Sequence, residues 1–130
     1  QNMSLHLRQD FDENLLTKVI IEDAKNDQNE IVCLDGMRRL PELDYLRELP
    51  NFYLIHVGAD EETRYQRITK RTENPDDQNK TREQFQKDQE AETEKTIRLL
   101  AEKADFRLDN NSTLEKLYKQ IDDLIDKLRT

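Results

Sequence analysis

An α/β fold, a parallel sheet with flanking helices, is predicted by three observations. Two apolar runs, Ile31-Val32-Cys33-Leu34 and residues 52–57 with five apolar positions of six, have the character of strands buried on both faces of a parallel sheet. Helical periodicities alternate with these runs, and alternation of strand and helix specifies a parallel sheet with right-handed crossovers. A short apolar stretch, residues 106–108, precedes the strongest helical pattern in the chain.

The elements follow in order. Asp12 is placed to cap a helix running to about Asn26, with Leu15, Leu16, Val19, Ile20 and Ala24 as one apolar stripe. The strand 31–34 comes next. Pro41 suits the first position of a short helix that buries Leu43, Leu46 and Leu49 before Pro50 and Asn51 break it. The second strand, 52–57, ends before Asp60 and Thr63, which suggest the start of a basic helix that ends at Asn74-Pro75-Asp76-Asp77. Thr81 with Gln84 forms a capping box for a long polar helix to about Lys103, core-facing only through Ile97, Leu100 and Ala101. After the third strand, Ser112 with Glu115 reads as the box opening a final helix. There Leu114, Leu117, Tyr118, Ile121, Leu124, Ile125 and Leu128 keep helical spacing.

The 130 residues suffice for one domain, 1–130, and are too few for two. Mean hydropathy is −1.06, but the apolar residues fall in periodic blocks, so charged exposed helices explain it better than disorder. A net charge of −8 disfavours nonspecific nucleic-acid binding, so an anionic ligand must be caught by a local basic cluster. The single cysteine, Cys33, lies within an apolar run, where packing suits it better than reactivity, and fits a reducing cytoplasm. No apolar run approaches the roughly 18 residues of a membrane helix.

Chemistry concentrates in two places. Ligands of open α/β sheets gather at the carboxyl ends of strands, where Asp35-Gly36-Met37-Arg38 would sit. Asp35 can hold Mg²⁺, Gly36 permits close backbone approach, and Arg38 offers a planar fork for phosphate; the same Asp-Gly pair also suits an ordinary turn. On the basic helix, Arg64, Arg67 and Arg71 fall at i, i+3 and i+7, with no acid between Arg64 and Thr72 in a chain of 29 acids. Their repulsion requires compensation. Salt bridges to Glu83, Asp88 or Glu92 would supply it, and so would a polyphosphate. Helix, turn-rich segment 74–80 and helix together read as a lid over about 64–95, or as a plain solvated hairpin. His6 and His56 lack metal-ligand spacing, and His56 reads as a hydrogen-bonded core residue.

In order and character these pieces resemble the P-loop nucleotide kinases, in particular dephospho-CoA kinases and adenylate-kinase-like proteins, over about residues 11–128. The most specific stretch is Ala104-Asp105-Phe106-Arg107-Leu108-Asp109-Asn110-Asn111-Ser112-Thr113-Leu114-Glu115, similar to the family's last strand and turn. The resemblance implies that Asn110 and Asn111 lie beside the adenine of ATP. It implies a Mg²⁺-organising role for Asp35 and an acceptor-phosphate role for Arg38. It also implies that Arg64, Arg67 and Arg71 close on the donor phosphates. The sequence departs from the family in having no G-x-x-x-x-G-K-[ST] loop, since its only glycines are Gly36 and Gly58. The expectation is therefore a P-loop kinase-like core lacking its first β-loop-α unit, with a helical lid. Its cofactors would be ATP and Mg²⁺, its partner a nucleotide substrate, and its location cytoplasmic, with no membrane or nucleic-acid partner. The chain alone would be inactive. The rival expectation is a non-catalytic kinase-like interaction module, and a homodimer formed through an open sheet edge is a further possibility.

Overall fold

The computed structural model describes residues 3, 6, 9, 14–71 and 79–130. Within 14–71 and 79–130 it is an α/β fold of six helices and two parallel strands. In chain order these are α1 (Leu15–Asn26), α2 (Leu40–Leu46), β1 (Ile55–Gly58), α3 (Glu61–Lys70), α4 (Arg82–Gln89), α5 (Glu92–Glu102), β2 (Phe106–Asp109) and α6 (Leu114–Arg129). Ile55 pairs with Phe106, His56 with Arg107, Val57 with Leu108 and Gly58 with Asp109.

The core is small. Helix α1, with Thr17 and Ile21 buried, packs on α2, with Leu43 and Leu46 buried, and α2 packs in turn on α5. Leu100 of α5, as its helical spacing predicts, is buried. At the opposite side α6 packs on β2, where Leu124 and Leu108 are buried. Lys127 Nζ stands 5.3 Å from the Phe106 ring centroid, and Gln120 bonds Asp109, so α6 runs antiparallel to β2. The amino end of the sheet is fastened by Asp105, which accepts from Leu54 N–H at 2.7 Å and pairs with Arg47 at 3.4 Å.

Several expectations are corrected. Residues 31–34 form no strand and are exposed, Cys33 included. An apolar run becomes a strand only when a ladder receives its backbone, and among the described residues none does. The second strand is shorter than predicted, with only 55–58 in the ladder. In α1, Thr17 and Ile21 face the core while Leu16, Val19 and Ile20 are exposed, so the buried stripe is rotated from the predicted one. Asp12 lies outside the described residues, and Asn14 takes the N-cap position.

The long polar helix is two helices, broken where Ala91 adopts an extended ψ of 148°. The Arg98 guanidinium donates to the Gln89 carbonyl that the break exposes. Thr81 and Gln84 do form the predicted capping box, at 3.2 and 3.0 Å. The cap of α6 is Thr113, accepting from Lys116 N–H at 3.3 Å, one residue after the predicted Ser112. Residues 74–78 of the predicted flap, Asp76 and Asp77 among them, lie outside the described residues. No helix of the described residues is long and apolar enough to cross a membrane.

Candidate functional site at the carboxyl ends of the strands

Gly58 and Asp109 are ladder partners at the carboxyl ends of β1 and β2, so the turns that follow them lie side by side. Asn110 N–H donates to the Gly58 carbonyl at 2.7 Å, and Asp60 N–H donates to Asn111 Oδ1 at 2.6 Å. Asp109 Oδ1 accepts from both the N–H and the Nδ2 of Asn111 at 2.8 Å, the local bonding that makes Asp and Asn turn formers. His56 is half-buried, with its ring over Gly58, where a Cβ would meet Cε1 at 2.8 Å. Only glycine fits there without displacing the imidazole.

The arginines of α3 grip this edge. Arg67 donates from Nη1 to the Asn110 carbonyl at 2.5 Å and from Nη2 to the Ser112 carbonyl at 3.2 Å. Arg64 donates from Nε to the Ala59 carbonyl at 3.0 Å and from Nη1 to Gln89 Oε1, with its guanidinium 5.7 Å from the Phe85 ring centroid. Every one of these acceptors is neutral. Among the described residues neither arginine is paired with a carboxylate, so the expected salt bridges to Glu83 and Asp88 are not made by Arg64 or Arg67. Asp88 instead pairs with Lys80 at 2.5 Å, and the side chain of Glu92 lies outside the described residues. The ion pair across the hairpin has the reverse polarity, Glu62 of α3 with Arg82 of α4 at 2.6 Å. Bonds from the Gln66 amide and then from Arg82 hold the Glu62 carboxyl below its ordinary range.

Phe85, only 4% exposed, plugs this hairpin, with its ring 5.5 Å from that of Tyr65. Arg82 stacks over Tyr65 at 4.8 Å. Beside it Glu61, Arg64, Gln86, Gln89, Glu90 and Arg98 line a recess of about 580 Å³. Arg98 and Gln89, which link α3, α4 and α5 here, escaped sequence reasoning because neither belongs to a spaced motif.

Of the predicted site residues, the structure brings Arg64, Arg67, Asn110 and Asn111 together. Arg71 is not on their stripe, because α3 ends at Lys70 and Arg71 is an extended C-cap with ψ of 152°. Asp35 and Arg38 are exposed, and among the described residues no hydrogen bond or ion pair joins them to the α3 arginines. Gly36 has φ of 86°, the left-handed backbone that favours glycine, and the N–H groups of Arg38 and Arg39 both donate to Glu42 Oε2, at 3.2 and 3.3 Å. The described residues contain no group of three or more His, Cys, Asp or Glu side chains able to hold a metal.

Comparison with known proteins gives relatives whose names state no activity. The chain is 29% identical over 122 residues to a UPF0200 protein of Sulfurisphaera tokodaii, covering 94% of this chain and 67% of that protein. It is 24% identical over 124 residues to a UPF0200 protein of Saccharolobus islandicus, covering 94% and 65%. With a UPF0200 protein of Staphylothermus marinus the identity is 27% over 125 residues, covering 96% and 65%. The chain thus spans about two thirds of the length of the curated relatives it matches. No family model matches.

Proposed function

We propose that this chain is part of an ATP-dependent phosphotransferase that moves the γ-phosphoryl group to a nucleotide-like acceptor. The observation that carries the reading is a pair of arginines, Arg64 and Arg67, whose hydrogen bonds at the carboxyl edge of the parallel strands run, among the described residues, to neutral acceptors. Carbonyl oxygens fix a guanidinium in place and leave its charge uncancelled. A polyphosphate supplies that missing charge, and stabilising charge on the transferring group is the main task of catalysis in this reaction class. In this reading Arg64 and Arg67 bind the donor phosphates, with Arg71 joining from the end of α3. Asn110 and Asn111 border the adenine, and Arg38 fixes the acceptor phosphate. Mg²⁺ is commonly bound by one or two carboxylates together with substrate phosphates, and exposed Asp35 meets that donor requirement. The phosphate loop would come from polypeptide outside these 130 residues.

The test is MgATP turnover with dephospho-CoA and with AMP as acceptors, in the longest natural polypeptide that carries this chain. Turnover with one of them, and its loss in Arg67→Ala, is the expected result; an Arg67→Ala protein within about twofold of wild type defeats the assignment. A second reading, a non-catalytic interaction module, draws on the exposed apolar edge of β1. It requires that the same polypeptide show no Mg²⁺-dependent affinity for ATP.

A further inference from the structure

The two arginines of the site are anchored to different parts of the molecule. The bonds of Arg67 run to backbone carbonyls of the turn after β2, at Asn110 and Ser112. Arg64 is held on one side by the Ala59 carbonyl after β1, at 3.0 Å from Nε, and on the other by the side chain of Gln89, which accepts from Nη1. The Phe85 ring, its centroid 5.7 Å from the Arg64 guanidinium, belongs to the same helix as Gln89. A side-chain acceptor differs from a backbone carbonyl in that the residue type decides its charge. Glutamine and glutamate have the same length and offer the same kind of accepting oxygen, but glutamate adds a full negative charge.

Residue 89 is neutral in an acidic setting, with Asp88 before it and Glu90 after it. Asp88 is engaged by Lys80, with which it pairs at 2.5 Å. Glu61 and Glu90 line the recess beside Arg64, but among the described residues neither forms an ion pair with it. The side chain that bonds Arg64 across the hairpin is the uncharged amide. Its place is fixed, because Gln89 is the last residue of α4 and its carbonyl, left open by the break at Ala91, accepts from the Arg98 guanidinium. The amide thus orients Arg64 as a carboxylate would, without cancelling its charge. Nη2 of Arg64 makes no hydrogen bond among the described residues, so part of the guanidinium fork is open to a ligand oxygen.

We infer, on the reading of Arg64 as a donor-phosphate ligand, that Gln89 is the positioning residue of Arg64 and that its neutrality keeps the anion site open. A carboxylate in its place would occupy Arg64 and shut the site. The Arg64 to Gln89 bond is part-buried, where an opposite charge is felt more strongly than in water, and an incoming phosphate would have to displace that charge first.

The test uses the longest natural polypeptide that carries this chain and measures its affinity for MgATP and for inorganic tripolyphosphate by calorimetry. Gln89→Glu is expected to weaken both about tenfold or more, with a melting temperature within about 4 °C of wild type because the hydrogen bond is kept. Gln89→Met removes the acceptor and leaves the arginine charged, so it is expected to weaken both only about two- to threefold. A merely structural anchor gives the opposite order, since methionine loses the bond that glutamate keeps. In an Arg64→Ala background, Gln89→Glu should have no further effect, because the two changes act through one interaction. The inference is overturned if Gln89→Met is the more damaging of the two, if Gln89→Glu binds both probes as wild type does, or if Gln89→Glu still weakens binding once Arg64 is gone. Tripolyphosphate binding in the expected order without MgATP turnover would leave Gln89 its role and remove the phosphotransfer reading, while turnover without that order would do the reverse. A wild-type protein that binds neither probe removes both.

Discussion

Helices α3 and α6 each follow a strand of the same sheet, yet they are held by opposite means. Helix α6 lies on β2 through Leu124 and Leu108, both buried, with Leu117, Ile121, Ile125 and Leu128 half-buried on its inner side. Helix α3 buries no residue fully and is positioned by Arg64, Arg67, Tyr65 and Glu62. Apolar burial is undirected and yields stability. Guanidinium bonds to carbonyls are directional, weaker on balance, and exchangeable for bonds to an incoming anion. The first helix after a strand is thus held by directional polar bonds, and the second by apolar burial.

Substitutions can break or sharpen that contrast. Leu124→Ala, which opens a cavity under α6, is expected to cost about 2–5 kcal/mol in urea unfolding. A cost below about 1 kcal/mol would show that α6 too is held by its polar contacts. Arg67→Ala should leave stability within about 1 kcal/mol, because its bonds are exposed, while weakening MgATP binding about tenfold or more by calorimetry. Reversed magnitudes would make Arg67 a structural clamp.

Acid should act on α3 and spare α6. Glu62 has a carboxyl held below the ordinary value of 4.5, first by the Gln66 amide and then by Arg82, so its contribution is present above that value. It is lost as pH falls through the lowered folded-state value. Protection of the α3 and α4 amides, taken relative to intrinsic exchange at each pH, should fall over that acid range before that of α6 does, and Glu62→Gln should remove the difference. The smallest effect is expected from Val32→Lys in this chain alone, within about 0.5 kcal/mol, since the side chain is exposed.

Legibility in the sequence followed the reach of each interaction. The last helix and the Thr81 capping box were readable because their signals are local, periodic or three residues apart. The cap of α6 slipped by one residue because Ser112 and Thr113 are adjacent and chemically alike, and only backbone direction chooses between them. The 31–34 run was misread because strand composition states what a segment can do, while pairing depends on a neighbour no local pattern reveals. At the site, the arginine stripe was visible and its partners were not. The carbonyls of Ala59, Asn110 and Ser112 belong to the backbone, and composition cannot distinguish one backbone carbonyl from another.

The pairing of Ile55 with Phe106 carries a kinetic consequence. Residues 55 and 106 are ladder partners far apart in sequence, with three helices between the strands. Closing so long a loop precedes any reward from the ladder, so the helices are set to form first and the sheet last. Until then both strands are open apolar segments, and the newly made chain depends on the speed of that one closure to escape aggregation.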